Sequence, residues 1–268
     1  MKYWILSLIF IASLFYFENF EKPLSQSVSG KAYYYSKTKM DLGNWGARMS
    51  EAQKKQMASR LKNRLEKTYI LTFNQYESFF KEEEKLDAIG GATDTWGANF
   101  SRGDQYKNLK DSTLIQSQEF YGKRFVIKDE LPKINWVKGN ETKQIGNYLC
   151  FKAVATIPTE TLNWYSFDWN DLTNSGSDEV PMSTIEAWYT LQIPLGHGPA
   201  EFWGLPGLVL EVSTGNTTIL CSEISINTND QDPIAIPNKG EETSIASYRK
   251  VVKERMATMR NSYSRRRN

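Results

Sequence analysis

The stretch Gly196–Val212, "GHGPAEFWGLPGLVLEV", decides the fold: glycines and prolines crowd its first part and apolar residues fill its last. Glycine supplies backbone shapes closed to other residues, and proline fixes φ while removing a donor. "GHGP" and "GLPG" therefore read as two tight turns bracketing "AEFW", with Pro206-Gly207 at the centre of a type II turn. Leu208–Val212 then enters a buried strand. A phosphate cradle would place its glycines at the mouth of a helix in a recognisable pattern, and none is present. G-x-S-x-G is also missing, which removes a nucleophile elbow. His197, the chain's single histidine, has no visible Ser or Cys partner and reads as a turn residue.

Strands on both sides give this stretch its context. Downstream, "GLVLEVSTGNTTILCSEISI" reads as a hairpin turning at Gly215-Asn216, with Val212 opposite Ile219 and Leu210 opposite Cys221. Cys221 then faces the same core as Leu208 and Leu210. Upstream, "TIEAWYTLQIPL" alternates and puts Ile185, Ala187, Tyr189, Leu191 and Ile193 on one face. "INWVKGNETKQIGNYLCFKAVATIP" reads as a hairpin turning at Gly139-Asn140, with Lys138 opposite Glu141. Its second strand puts Leu149, Phe151, Ala153 and Ala155 together.

Further strands are expected in "SGKAYYYSKTK", over Tyr69–Asn74, in "STLIQSQEFY" and in "KRFVIKDE", and "TETLNWYSFDWNDL" continues an aromatic strand. Residues 87–105 are Gly-rich and polar and read as a loop. Two segments have helical spacing. One is about 50–67, with Met57, Leu61 and Leu65 in a stripe and a Ser50/Gln53 capping box. The other is about 244–261, with Ile245, Tyr248, Val252 and Met256 in phase. The order predicts a single α+β domain, a predominantly antiparallel curved β-sheet with a helix near each end.

The 268 residues include 8 Trp, 14 Tyr and 13 Phe, a surplus that suits sheet cores, and the net charge of +2 projects no general field toward nucleic acid. The charge is uneven: Arg249, Lys250, Lys253, Arg255, Arg260, Arg265, Arg266 and Arg267 face Glu254 alone, and the last of these, in residues 263–268, read as a solvated basic tail. At the other end, "MKYWILSLIFIASLFYF" has one early lysine and an apolar run shorter than the ~20 residues that span a bilayer. Small residues follow at Ser25 and Ser27. Residues 1–27 therefore read as a signal peptide, and 28–262 as the exported domain. Export allows Cys150 and Cys221, the only cysteines, to pair in a disulfide. No pattern calls for a metal or a cofactor.

"GLPGLVLEV" after "EAWYTLQIPLGHGPAEF" resembles the signature of the GLPGLI family of exported proteins, with Val209 where the signature ends in isoleucine. "FYGKRFVIKDELPKINWVKGNETKQIGNYLCFKA" is similar to the family's Lys-rich hairpin and G-x-x-C-x-K-A strand. Gly146, Cys150, Lys152 and Ala153 hold those places, with the glycine four residues before the cysteine. The resemblance spans roughly Lys31 to Met259. It implies a secreted or periplasmic protein without an agreed activity. Gly198, Pro199, Gly204, Leu205, Pro206 and Gly207 carry over as a structural signature, and no catalytic residue does.

The expected function is a non-enzymatic envelope module that binds an apolar ligand or a protein partner such as an outer-membrane protein, with no nucleic acid. The alternative is a carbohydrate hydrolase using Asp168, Asp171, Asp178, Glu179 and Glu186 around the Trp-rich segment.

Overall fold

The computed structural model describes residues 28–40, 48–83, 99–167, 180–226 and 234–265. Its first strands are β1 Gly30–Thr38, β2 Glu66–Phe73, β3 Glu77–Glu82, β4 Gln105–Asn108, β5 Thr113–Phe120 and β6 Lys123–Glu130. β7 Val137–Ile145, β8 Tyr148–Pro158, β9 Met182–Thr190, β10 Leu208–Thr214, β11 Thr217–Ile226 and β12 Glu241–Thr243 follow. They form one curved 12-stranded sheet in the order β12-β6-β5-β4-β3-β2-β1-β11-β10-β9-β8-β7. Two meanders, β1 to β6 and β7 to β11, meet where β1 pairs with β11. All pairs are antiparallel except β12 on β6. Helices α1 Glu51–Arg60 and α2 Lys62–Leu65 lie between β1 and β2, α3 Thr159–Asn163 follows β8, and α4 is Ile245–Arg265. This is the expected α+β class.

Local chemistry accounts for most turns. Gly215-Asn216 turns β10 into β11, with Thr214 opposite Thr217 and Val212 opposite Ile219. Tyr121 and Gly122, at φ 48 and 77, join β5 to β6 as a primed turn. The other Gly-Asn expectation is corrected. Gly139-Asn140 lies inside β7, and the chain reverses at Gly146-Asn147, where Ile145 pairs with Tyr148. The later turn lets β7 zip along β8 as far as Val137↔Val154, whereas the earlier one would have left only a stub. The price is a bulge between Lys138 and Thr142, which twists a strand at the sheet's edge. The inward phase of β8 slips with it: Cys150 is fully buried and Leu149 is 47% exposed. Glu141 consequently pairs with Lys152 at 3.2 Å and not with Lys138.

Two helical expectations and one strand expectation also change. The predicted 50–67 helix keeps its capping box, with Gln53 N donating to Ser50 Oγ and Ser50 N to Gln53 Oε1. It breaks at Leu61 and gives way to β2 at Glu66, because Glu66 and Lys67 already pair with Lys37 and Ser36 of β1. "TETLN" is α3 and not a strand. The C-terminal helix runs on to Arg265, into the stretch read as a tail. Gln105, assigned to a loop, opens β4, and Leu191 lies beyond the end of β9, 49% exposed.

Curvature gives the sheet an inner side. β1 and β2 bury Ala32, Tyr34, Leu71 and Phe73 there, and β9 to β11 add Ile185, Ala187, Leu208, Val212 and Ile219. A second cluster forms where α4 lays Tyr248, Val252 and Met256 on Phe120, Phe125, Ile127 and Trp164. Tyr248 meets Phe125 and Trp164 edge-on at 5.3 and 5.8 Å, a favoured aromatic geometry.

Candidate functional site

The link from β9 to β10 passes through the core. Ile193, Leu195, His197, Gly198, Pro199, Ala200, Glu201, Phe202 and Leu205 are all buried. Buried backbone must find partners, and this one bonds largely to itself. Phe202 N donates to Pro199 O at 3.1 Å around Ala200, whose φ is 50. Gly204 N donates to Gly196 O at 2.9 Å, and Leu208 N and Val209 N donate to Ile193 O and His197 O.

The expected type II turn at Pro206-Gly207 is corrected, since Gly204, not Gly207, has the left-handed φ, at 88. Gly207 serves close approach: a Cβ there would stand 2.0 Å from Thr190 O. Leu208–Val212 is strand, as expected.

Two inner carbonyls of the link fall to a buried lysine. Lys107 Nζ donates to Gly198 O at 2.7 Å and to Ala200 O at 2.6 Å. Beside it Arg102 donates to Glu201 at 2.7 Å, and its guanidinium lies 5.1 Å from the centre of the Tyr165 ring. A glutamine row continues the network: Gln105 donates to Gln116 at 3.1 Å and to Glu201 at 3.4 Å, and Gln116 donates to Gln118 at 3.1 Å. Gln118 in turn donates to Ser101 O at 2.7 Å.

Electrostatics follow from burial. Desolvation pulls the Lys107 amine down to about 7, with the Glu201 carboxylate opposing and Arg102 adding to the fall. Burial is the largest influence on the Arg102 charge and works against it, but Glu201 together with Tyr165 and Tyr69 outweighs it and holds the guanidinium protonated. His197 Nε2 donates to Asn74 O at 2.9 Å, and burial lowers the ring to about 3, so it is a neutral core group. An amine near 7 has the affinity of a general base, yet Lys107 has no exposure and both its contacts are backbone. It fastens the link.

The sequence left this network unnoticed, but a signal was available. On β5, Gln116 and Gln118 alternate in phase with Leu114 and Phe120, so a buried Leu/Phe face carries two amides.

The other expected residues separate. Among the proposed acids, Asp168, Asp171, Asp178 and Glu179 lie outside the described residues. Glu186 bonds Lys152 at 3.0 Å and accepts from Trp188 Nε1 at 2.9 Å, contacts that hold its pKa low. Trp188 sits beneath Lys143 at 4.2 Å and Lys152 at 5.7 Å, and Lys143 also pairs with Glu211 at 2.7 Å. Cys150 and Cys221 are free and buried, and burial raises their thiols to about 11 and about 12. No cluster of His, Cys, Asp and Glu suited to a metal occurs among the described residues, and no described helix is long and apolar enough to cross a membrane. A cleft of about 710 Å³ lies on the β3–β6 side, lined by Phe79, Glu119, Arg124 and the segment from Ala235 to Lys239.

The model of a family described as "Protein of unknown function (Porph_ging)" matches residues 136–211, which run from just before β7 through the link into β10. No curated protein matches the chain. Among solved structures, PNGF-II in a C2 crystal form is 16% identical over 84% of this chain and 32% of its own, with a TM-score of 0.49. Its P21 form gives 16%, 83%, 32% and 0.48. The chain thus spans about a third of the PNGF-II chain's length. LprF from Mycobacterium bovis is 7% identical over 79% of this chain and 90% of its own, with a TM-score of 0.26.

Proposed function

We propose that this chain is an exported envelope protein of the GLPGLI kind that works as a binding or assembly module, with a protein partner rather than a bulky apolar ligand. One observation carries the choice: the sheet's inner side is filled by the chain itself. The β9–β10 link occupies one part and α4 another. The groups with catalytic potential there are committed to the fold, Lys107 to two carbonyls, Glu201 to Arg102 and His197 to Asn74 O. A carrier needs an open apolar hollow. A scaffold needs a rigid body with an accessible outer face. The recess beside Arg124 and Ile236 is one place where a partner segment fits.

A photo-crosslinking residue at Ile236, which is 50% exposed, tests this in the native host. One recurrent envelope protein should be captured on a chain whose mass begins at Val28. Adducts to lipid alone, or an intact residue 1–27 segment in the envelope fraction, would overturn the reading.

A further inference from the structure

We propose that one flank of α4 docks the protein onto an anionic lipid surface. The helix is held by a single face: Tyr248, Val252 and Met256, each four apart, are buried, and Met259 packs beside them. At about 100° per residue, Arg249, Lys253 and Arg260 fall in one narrow row next to that face, with Lys250 adjoining. Lys250, Lys253 and Arg260 are exposed and have no ion-pair partner among the described residues. Arg249 heads the row and is tied to Glu160 of α3. Glu254, the helix's only acid, projects about a third of a turn away from the row. The sequence then adds Arg265, Arg266 and Arg267 at the end of the helix and just past it.

The whole chain carries only +2, so this positive end is balanced by acids elsewhere and the molecule is electrically polar. Such a field orients the helix toward a negative plane. The row holds no aromatic residue. Single-stranded nucleic acid is gripped by stacking on rings, whereas a straight row of like charges matches a layer of headgroups. The preference for lipid over nucleic acid also rests on the proposed export, which takes the chain to a membrane.

Flotation with phosphatidylcholine vesicles, with and without phosphatidylglycerol, tests the docking on the full chain and on its Lys250→Gln/Lys253→Gln/Arg260→Gln variant. A basic side chain near an anionic surface contributes about five-fold to partitioning. The anionic vesicles should therefore bind the full chain better, and the variant should lose roughly 100-fold of that preference. High salt should erase it. The apolar N-terminal stretch is common to both proteins and both vesicle types, so it cancels, and an unchanged melting temperature shows that the variant folds. Three results would sink the docking: no preference for phosphatidylglycerol, an equal preference in the variant, or stronger competition from a polynucleotide than from the vesicles. An intact residue 1–27 segment on the protein recovered from the native envelope would defeat export and leave the docking standing.

Discussion

Replacing Gly207 with alanine probes the joint on which the core link depends. The added Cβ would stand 2.0 Å from Thr190 O and 2.7 Å from Thr190 C, both backbone atoms of β9. Real contacts stay beyond 3.0 Å, so β9 and β10 must part by about an ångström at their first pair, Leu208↔Thr190. That opening strains the Leu208 N–H to Ile193 O bond of 2.9 Å, worth about 1–3 kcal/mol if left unmade inside. It also displaces Leu205, Leu208 and Val209, each buried to within 1%, at an overpacking cost of about 1–3 kcal/mol.

Restricting the unfolded chain returns about 0.4–1 kcal/mol. The net expectation is a loss of about 3 kcal/mol, or roughly 9 °C in Tm for a domain of this size. Gly204→Ala is the control. Its Cβ meets nothing within 4 Å, and only the left-handed φ of 88 is penalised, at about 1 kcal/mol. Urea unfolding followed by tryptophan fluorescence reads both. A Gly207→Ala protein within 0.5 kcal/mol of the parent (roughly the scatter of ordinary surface substitutions), or no less stable than Gly204→Ala, would refute the close-approach argument.

Two predictions concern pH. Folding lowers Lys107 to about 7 from an ordinary 10.5, so above pH 7 the unfolded chain holds a proton that the folded one has released. Stability therefore rises with pH from about 7 toward 9 on this account, and Lys107→Met should be less stable and lack that rise; parallel urea midpoints at pH 7 and 8.5 would refute it. His197 has a folded pKa of about 3 against 6.5, so unfolding takes up a proton below pH 6.5 and stability falls as pH drops toward 3. Because it is the only histidine, its ring resonances in the folded protein should stay fixed from pH 8 to pH 5; a midpoint near 6.5 would mean an exposed ring.

Patterns that local forces enforce were legible. The Gly215-Asn216 turn, the Ser50/Gln53 cap and the buried period of α4 all came through, because each depends on residues a few positions apart. Choices between equal local options were not. Two Gly-Asn pairs occur in the β7–β8 region, and only the length of ladder each one closes favours the second. The helix read to residue 67 ended early because β1 offered Glu66 and Lys67 a sheet partner.

The sequence by itself determined the class, an antiparallel sheet with a helix near each end, and the burial of Leu208–Val212, since alternation and glycine placement act along the chain. Tertiary structure alone decided what Gly207 is for and why Lys107 can be buried. Both depend on atoms brought from distant segments, Thr190 O against the glycine and Gly198 O and Ala200 O on the lysine. A carbonyl's position in space is fixed by the whole sheet, and no spacing within one segment encodes it.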